Sequence, residues 1–194
     1  AEPKMFNHNR GLWGYTGLAP DGEPLTIMSH GMGGPSTAVV LEELCDLGLQ
    51  VVVRIGTCGA LTDDLRLGDL VAATRVLAAD GTSRALGAGE VLEPDPELLA
   101  ELSAHADCAG AVVSTDLFYD PDPARPAAWR AAGAIAVEME AAAILAVAAR
   151  RGIRAACLFA VSDSEAGGGE RIAGDALVAA SVRLGRAGLA ALSR

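Results

Sequence analysis

The chain has 194 residues, of which 51% are hydrophobic and only 4% aromatic, and its formal net charge is −10. That length and apolar content suit one folded domain with a sizeable core and exclude a disordered chain. The acidic balance excludes nucleic acid and anionic membrane surfaces as partners, since both reward a basic face, so an anionic ligand must be held by a few well-placed arginines.

In chain order, residues 24–31 (PLTIMSHG) read as a short buried strand ending in a glycine-rich turn. Residues 35–48 read as a helix, with Pro35 in its first turn and Gly48 as its stop. Residues 49–61 (LQVVVRIGTCGAL) form a β-branched run that is predicted to break at Gly56. Residues 68–80 read as one strand or two joined, and 81–90 as a loop. A helix is expected over 94–106 and a strand leading into a loop over 109–119. Residues 134–152 (AIAVEMEAAAILAVAARRG) read as an alanine-rich helix that opens with Glu138, Met139 and Glu140. A buried strand over 153–163, a flexible connection over 164–170 and a closing helix over 171–194 complete the pattern. Alternating strands and helices with near-continuous apolar strands predict an α/β fold with a mostly parallel or mixed sheet. In such folds ligands gather beyond the carboxyl ends of strands. This singles out residues 30–34, 54–59, 115–119 and 162–163.

The four cysteines, Cys45, Cys58, Cys108 and Cys157, form no C-x-x-C pair, and there are three histidines. Reduced thiols in a cytoplasmic protein, with no metal site, are the expectation. No apolar run reaches the length of about 18 residues that a membrane span needs, and the first residues show no signal-peptide pattern.

Five stretches carry polar groups that suit chemistry. HGMGGPS (30–36) exposes backbone N–H groups at a helix start, for an anion or sugar hydroxyls, or is simply a tight strand-to-helix turn. In RIGTCG (54–59), Arg54 interrupts a buried run and needs a partner. With the hydroxyl and N–H of Thr57 it suits a phosphate oxyanion, or it pairs with an internal carboxylate. In VEMEA (137–141), residues two apart on a helix point about 200° from each other, so Glu138 and Glu140 cannot share one task. Both suit a first helical turn, or one enters a pocket. In FAVSD (159–163), Asp163 is a general acid or the N-cap of a following helix. In STDLFYD (114–120), Phe118 and Tyr119 stack on a base or sugar, or tuck their loop back.

Taken in order, NRGLWGYTG, HGMGGPST, RIGTCGAL, STDLFY, AVEMEAAAI and VSD resemble the trimeric and hexameric nucleoside phosphorylase family of purine nucleoside, uridine and methylthioadenosine phosphorylases. The resemblance implies a three-layer α/β/α sandwich around a mixed central β-sheet. It implies reversible phosphorolysis of a nucleoside to free base and pentose 1-phosphate, with no cofactor, in a homo-oligomer that is a dimer or a trimer of dimers. Arg54, Gly56 and Thr57 would hold phosphate, with Arg10 lent to the neighbouring subunit's phosphate. Met32, Cys58, Gly59, Phe118, Val137, Glu138, Met139, Glu140 and Ser162 would surround the nucleoside. Met32 and Met139 would pack on the ribose, and Glu140 would accept from its hydroxyls. Glu138, its side chain turned elsewhere on the helix, would matter less. Asp163, assisted by Arg171, would protonate N7 of a leaving purine, which favours a purine nucleoside over uridine or 5′-methylthioadenosine. A non-catalytic nucleoside-binding homologue is the alternative outside enzymes. Family sequences normally begin with a strand and a G-x-P-x-R loop carrying a further phosphate-binding arginine. This sequence starts downstream of that pattern, so one domain over 1–194 without that strand and loop is expected, as in a truncated sequence.

Overall fold

A computed structural model describes residues 2–164 and 169–193. Two sheets are formed. The smaller is an antiparallel meander of β1 (Lys4–Asn7), β2 (Gly14–Leu18) and β3 (Pro24–Met28). The larger contains β4 (Val51–Ala60), β5 (Leu70–Ala79), β6 (Val91–Leu92), β7 (Cys108–Thr115), β8 (Ala134–Glu138), β9 (Arg154–Ser164) and β10 (Glu170–Arg171). Its order is β10-β9-β4-β8-β7-β5-β6, and β5 also pairs antiparallel with β9, so the sheet curls back on itself. Pairings β4–β9, β5–β7 and β7–β8 are parallel, whereas β4–β8 and β9–β10 are antiparallel. The mixed sheet of the sequence reading is therefore present.

Helices cover both faces. α1 (Gly34–Asp46), α2 (Gly81–Ala85) and α5 (Ala141–Arg151) pack together on one side. α3 (Pro96–His105) and α6 (Gly174–Leu192) pack on the other, and α4 (Arg125–Ala131) lies against β8. β9 shows why the sequence selects three layers. Cys157, Phe159 and Val161 enter the core beneath α1 and α5, while Ala156, Leu158 and Ala160 enter the core beneath α3 and α6. A strand buried on both faces reads as a continuous apolar run, and side chains that alternate across it feed two cores.

Several local expectations are corrected. β3 is not buried: its residues are half-buried or exposed, and it belongs to the small meander rather than to the central sheet. β4 does not break at Gly56 but runs to Ala60, with a register shift between Cys58 and Gly59. Residues 81–90 begin with α2, capped by Asp80, whose carboxylate accepts the Ser83 N–H. β1, β2, β6, β10 and α4 were not expected, and Arg171, expected in the closing helix, lies in β10 ahead of α6. The stretch 134–152 is not one helix: β8 fills its first five residues, and α5 starts only at Ala141. Of the connection expected over 164–170, residues 165–168 lie outside the described residues, Ser164 ends β9 and Glu170 opens β10.

Candidate active site

The break between β8 and α5 decides the geometry of the two glutamates. Glu138 is the last residue of β8 and is buried. Glu140 lies just before the first turn of α5 and is also buried. The helical argument that separates them does not apply, and both carboxylates meet Arg54. Arg54 Nε donates to Glu138 Oε2 at 3.2 Å, and Nη2 donates to Glu140 Oε2 at 2.5 Å. The internal Arg–carboxylate pair is thus the arrangement present, as a buried guanidinium requires.

The two carboxylates differ in what remains free. A carboxylate has about four acceptor positions. Glu138 receives Arg54 Nε and Nη2, the Ser114 hydroxyl, and the backbone N–H groups of Glu140 and Ala141. Ser114 Oγ in turn accepts the Ala142 N–H at 2.9 Å. Glu138 and Ser114 therefore satisfy the first orphan amides of α5, which no cap of its own supplies. Among the described residues Glu140 accepts only from Arg54 and, at 2.5 Å, from the Gly33 N–H, which leaves about two acceptor positions. The N–H group expected at the start of α1 for an external anion is taken by this internal one. Gly33 reaches it with φ +85°, in the region that favours glycine.

Arg54 lies flat against its own strand. Its guanidinium carbon stands 5.3 Å from the centroid of the Phe159 ring, a cation–π contact. A Cβ at Gly56 would lie 3.1 Å from Cζ, Nη1 and Nη2 of Arg54. Residues 54 and 56 share a strand face, so glycine is what lets the guanidinium settle there. Gly56→Ala is expected to lift Arg54 out of its pairs, at about 1–3 kcal/mol for overpacking; the denaturant midpoint measures it, and an unchanged midpoint would contradict the close approach. Thr57 is exposed, and its hydroxyl leaves the strand on the face opposite Arg54. Among the described residues β4 pairs along one edge with β9, and along the other only Gly59 and Ala60 pair, with β8. The peptide groups of Gly56 and Thr57 on that open edge face a large cleft.

That cleft is about 2010 Å³ in volume. It is lined by Met32, Arg54, Gly56, Thr57, Cys58, Gly59, Phe118, Val137, Glu138, Met139, Glu140, Ser162, Asp163 and Arg171. Arg10 is not among them. It occupies an exposed 3-10 turn (Asn9–Gly11) with φ 55°. Met32 and Phe118 are exposed, and Phe118 meets Tyr119 edge-on with ring centroids 5.0 Å apart.

At the other end of the cleft stands Asp163, in β9 rather than at a helix cap. Ser162 Oγ donates to Asp163 Oδ1 at 2.7 Å and lies 3.4 Å from the Cys58 carbonyl. Asp163 Oδ2 lies beside Gly59, where a Cβ would come within 2.8 Å of it. Gly59 pairs with Asp163 on one side and Val137 on the other. Two strand spacings, about 10 Å, therefore separate the acid from the β8 end of the row. Arg171 is opposite Asp163 in the β9–β10 register. The Cys58 thiol is buried, and that burial, with Glu138 nearby, pushes it far above the ordinary thiol range, so it is no nucleophile. Among the described residues no group of three His, Cys, Asp or Glu side chains is placed to hold a metal ion.

Three contributors were given no role from sequence: His30 and Ser114, which lie inside the singled-out stretches 30–36 and 114–120, and Thr37, which lies just beyond the first of them. His30 Nε2 lies 2.9 Å from Arg54 Nη1, and His30 Nδ1 lies 2.9 Å from Thr37 Oγ1. Burial and then the Arg54 charge lower the His30 pKa to about 4, so the ring is neutral near pH 7. A lone histidine before a glycine-rich turn gives no sign of this, because its partner lies 24 residues away on another strand.

Comparison with known proteins agrees with the fold. The Phosphorylase superfamily model matches residues 1–193. Guanosine phosphorylase of Halorubrum lacusprofundi is 38% identical over 158 residues, which are 78% of this chain and 66% of that protein. The DeoD-type purine nucleoside phosphorylase of Proteus mirabilis is 35% identical over 169 residues, 82% of this chain and 71% of that protein. The crystal structure of Toxoplasma gondii purine nucleoside phosphorylase in complex with immucillin-H superposes with a TM-score of 0.88 at 25% identity, covering 98% of this chain and 81% of that one. The chain belongs to the phosphorylase superfamily, among its nucleoside phosphorylases.

Proposed function

We propose that this chain catalyses phosphorolysis of purine nucleosides to the free base and pentose 1-phosphate. One observation carries the reading: a half-satisfied carboxylate, Glu140, and an acid, Asp163, stand at two ends of one cleft floored by Gly59 and Val137. The open acceptor positions of Glu140 take the ribose hydroxyls. The purine lies toward Asp163. As the glycosidic bond breaks, its electron pair goes to the base, the proton on Asp163 moves to N7, and a phosphate oxygen forms the new bond to C1′. Because Ser162 donates to Oδ1, the transferable proton sits on Oδ2, and Arg171 beside it steadies the carboxylate left behind. A positioned general acid supplies about 10²–10⁴-fold. The names of the relatives, guanosine and purine nucleoside phosphorylases, support the purine assignment. Steady-state cleavage of inosine and uridine with phosphate tests it: inosine is expected to be strongly preferred, and equal turnover of uridine overturns the base assignment.

The phosphate end needs more positive charge than one chain places there. Arg54 is matched by two buried carboxylates, and His30 is neutral, so this cluster carries about one net negative charge. The exposed Arg10, outside the cleft of its own chain, is lent by a second copy. Arg10→Ala and Asp163→Asn are each expected to lose most activity, and co-expression of the two is expected to restore part of it. Co-expressed chains no more active than either variant alone contradict the shared site. All four cysteines are free thiols, which fits a reducing, cytoplasmic compartment.

A further inference from the structure

Arg54 donates only; it has no lone pair to accept with. At 2.9 Å from Arg54 Nη1, His30 Nε2 must therefore be an unprotonated acceptor. The proton of the neutral ring is then on Nδ1, 2.9 Å from the Thr37 hydroxyl, which accepts it. Thr37 is buried in the first turn of α1 and fixes that tautomer. The other sides of the guanidinium are already taken: Nε and Nη2 by the two glutamates, and the flat face by Gly56 and Phe159. Nη1 has two N–H bonds, and His30 holds one of them. The second is the guanidinium N–H left over for a ligand.

We propose that His30 is a positioning residue, held by Thr37 as the Nδ1–H tautomer, that locks the Arg54 guanidinium so that its one remaining Nη1–H is aimed at an oxyanion over Gly56 and Thr57. The locking is a property of the folded chain, while the oxyanion's being phosphate rests on the phosphorolysis reading above. His30 touches no reacting atom. Its effect passes through Arg54, so it should govern the binding of the anion rather than that of the nucleoside. Without the imidazole acceptor, Nη1 is free to turn toward Glu138 or Glu140, which already crowd the same cation.

Three variants separate positioning from general packing. His30→Leu removes the acceptor, His30→Gln keeps an amide oxygen within reach of Arg54, and Thr37→Val frees the ring. In wild type, nitrogen-15 NMR is expected to show His30 as the Nδ1–H tautomer and a slowly exchanging Arg54 side chain. His30→Leu is expected to speed Arg54 N–H exchange and to raise the phosphate KM about 10–100-fold, the loss of a hydrogen bond to a charged group, with kcat and the nucleoside KM little changed. His30→Gln should recover most of both effects, and Thr37→Val should show a smaller version of them. If the wild-type ring carries its proton on Nε2, or if His30→Leu leaves Arg54 exchange unaltered, the positioning role is wrong. If Arg54 exchange responds as expected but no variant or wild type cleaves a nucleoside, positioning stands and the phosphorolysis reading fails.

Discussion

Glu138→Ala is expected to be the most destabilising single change in the cleft, costing about 3–5 kcal/mol. The reason is the inventory of donors that Glu138 satisfies: Arg54 Nε, the Ser114 hydroxyl and the N–H groups of Glu140 and Ala141, all around a buried site. Truncation leaves a buried guanidinium short of a partner and the start of α5 uncapped. Glu138→Gln is milder in volume but reverses one half of the inventory, because an amide nitrogen cannot accept from Ala141 or Ser114. Denaturant unfolding measures both; a Glu138→Ala midpoint close to wild type would contradict the anchoring role. Glu140→Gln is expected to behave differently. It keeps an oxygen for Gly33 or Arg54, so the loss should fall on nucleoside KM and kcat more than on stability. The glutamate taken from sequence to matter less is thus the one that holds the site together.

Asp163→Asn is expected to reduce phosphorolysis of inosine by about 10²–10⁴-fold, the usual value of a positioned general acid, and to leave stability nearly unchanged. Asp163 is only half-buried, and the donor it accepts from, Ser162, retains a carbonyl-type oxygen to bond in the amide. The chemical test of the role is a nucleoside that does not need the proton. 7-Methylinosine already carries positive charge on its base, so its glycosidic bond breaks without transfer to N7. The variant should cleave it nearly as fast as wild type does. An equal loss on inosine and 7-methylinosine would mean that Asp163 orients the base rather than protonating it.

The layers and the residues that line the cleft were legible because their signals are local. The near-continuous apolar run at 153–163 marks a strand buried on both faces, the run at 68–80 one buried over its first half, and Pro35 and Gly48 mark the ends of α1. The misreading at 134–152 shows where local signals compete. Alanine favours helix, and seven of the eight residues from Ala141 to Ala148 keep that promise as Ala, Leu or Ile. Just before them, Ala134, Ala136 and Glu138 are buried while Ile135 and Val137 are half-buried, a period of two. The β-branched pair and Gly133, with φ +89°, carried the strand signal. That error had consequences for the site, since glutamates two residues apart on one helix point about 200° from each other, whereas at this strand-to-helix corner both reach one arginine. Arg54 and Asp163 were found because a charge in or at the end of an apolar run is conspicuous. Ser114 and His30 did not stand out, because each acts through a partner 24 residues away, and Thr37 acts only through His30.

The most direct measurement follows both products at once. With inosine and inorganic phosphate, phosphorus-31 NMR is expected to show a pentose 1-phosphate resonance that grows one-for-one with hypoxanthine, and neither product is expected when phosphate is omitted. Hypoxanthine released together with free ribose in the absence of phosphate, or no cleavage of inosine at all, would contradict purine nucleoside phosphorolysis by this chain.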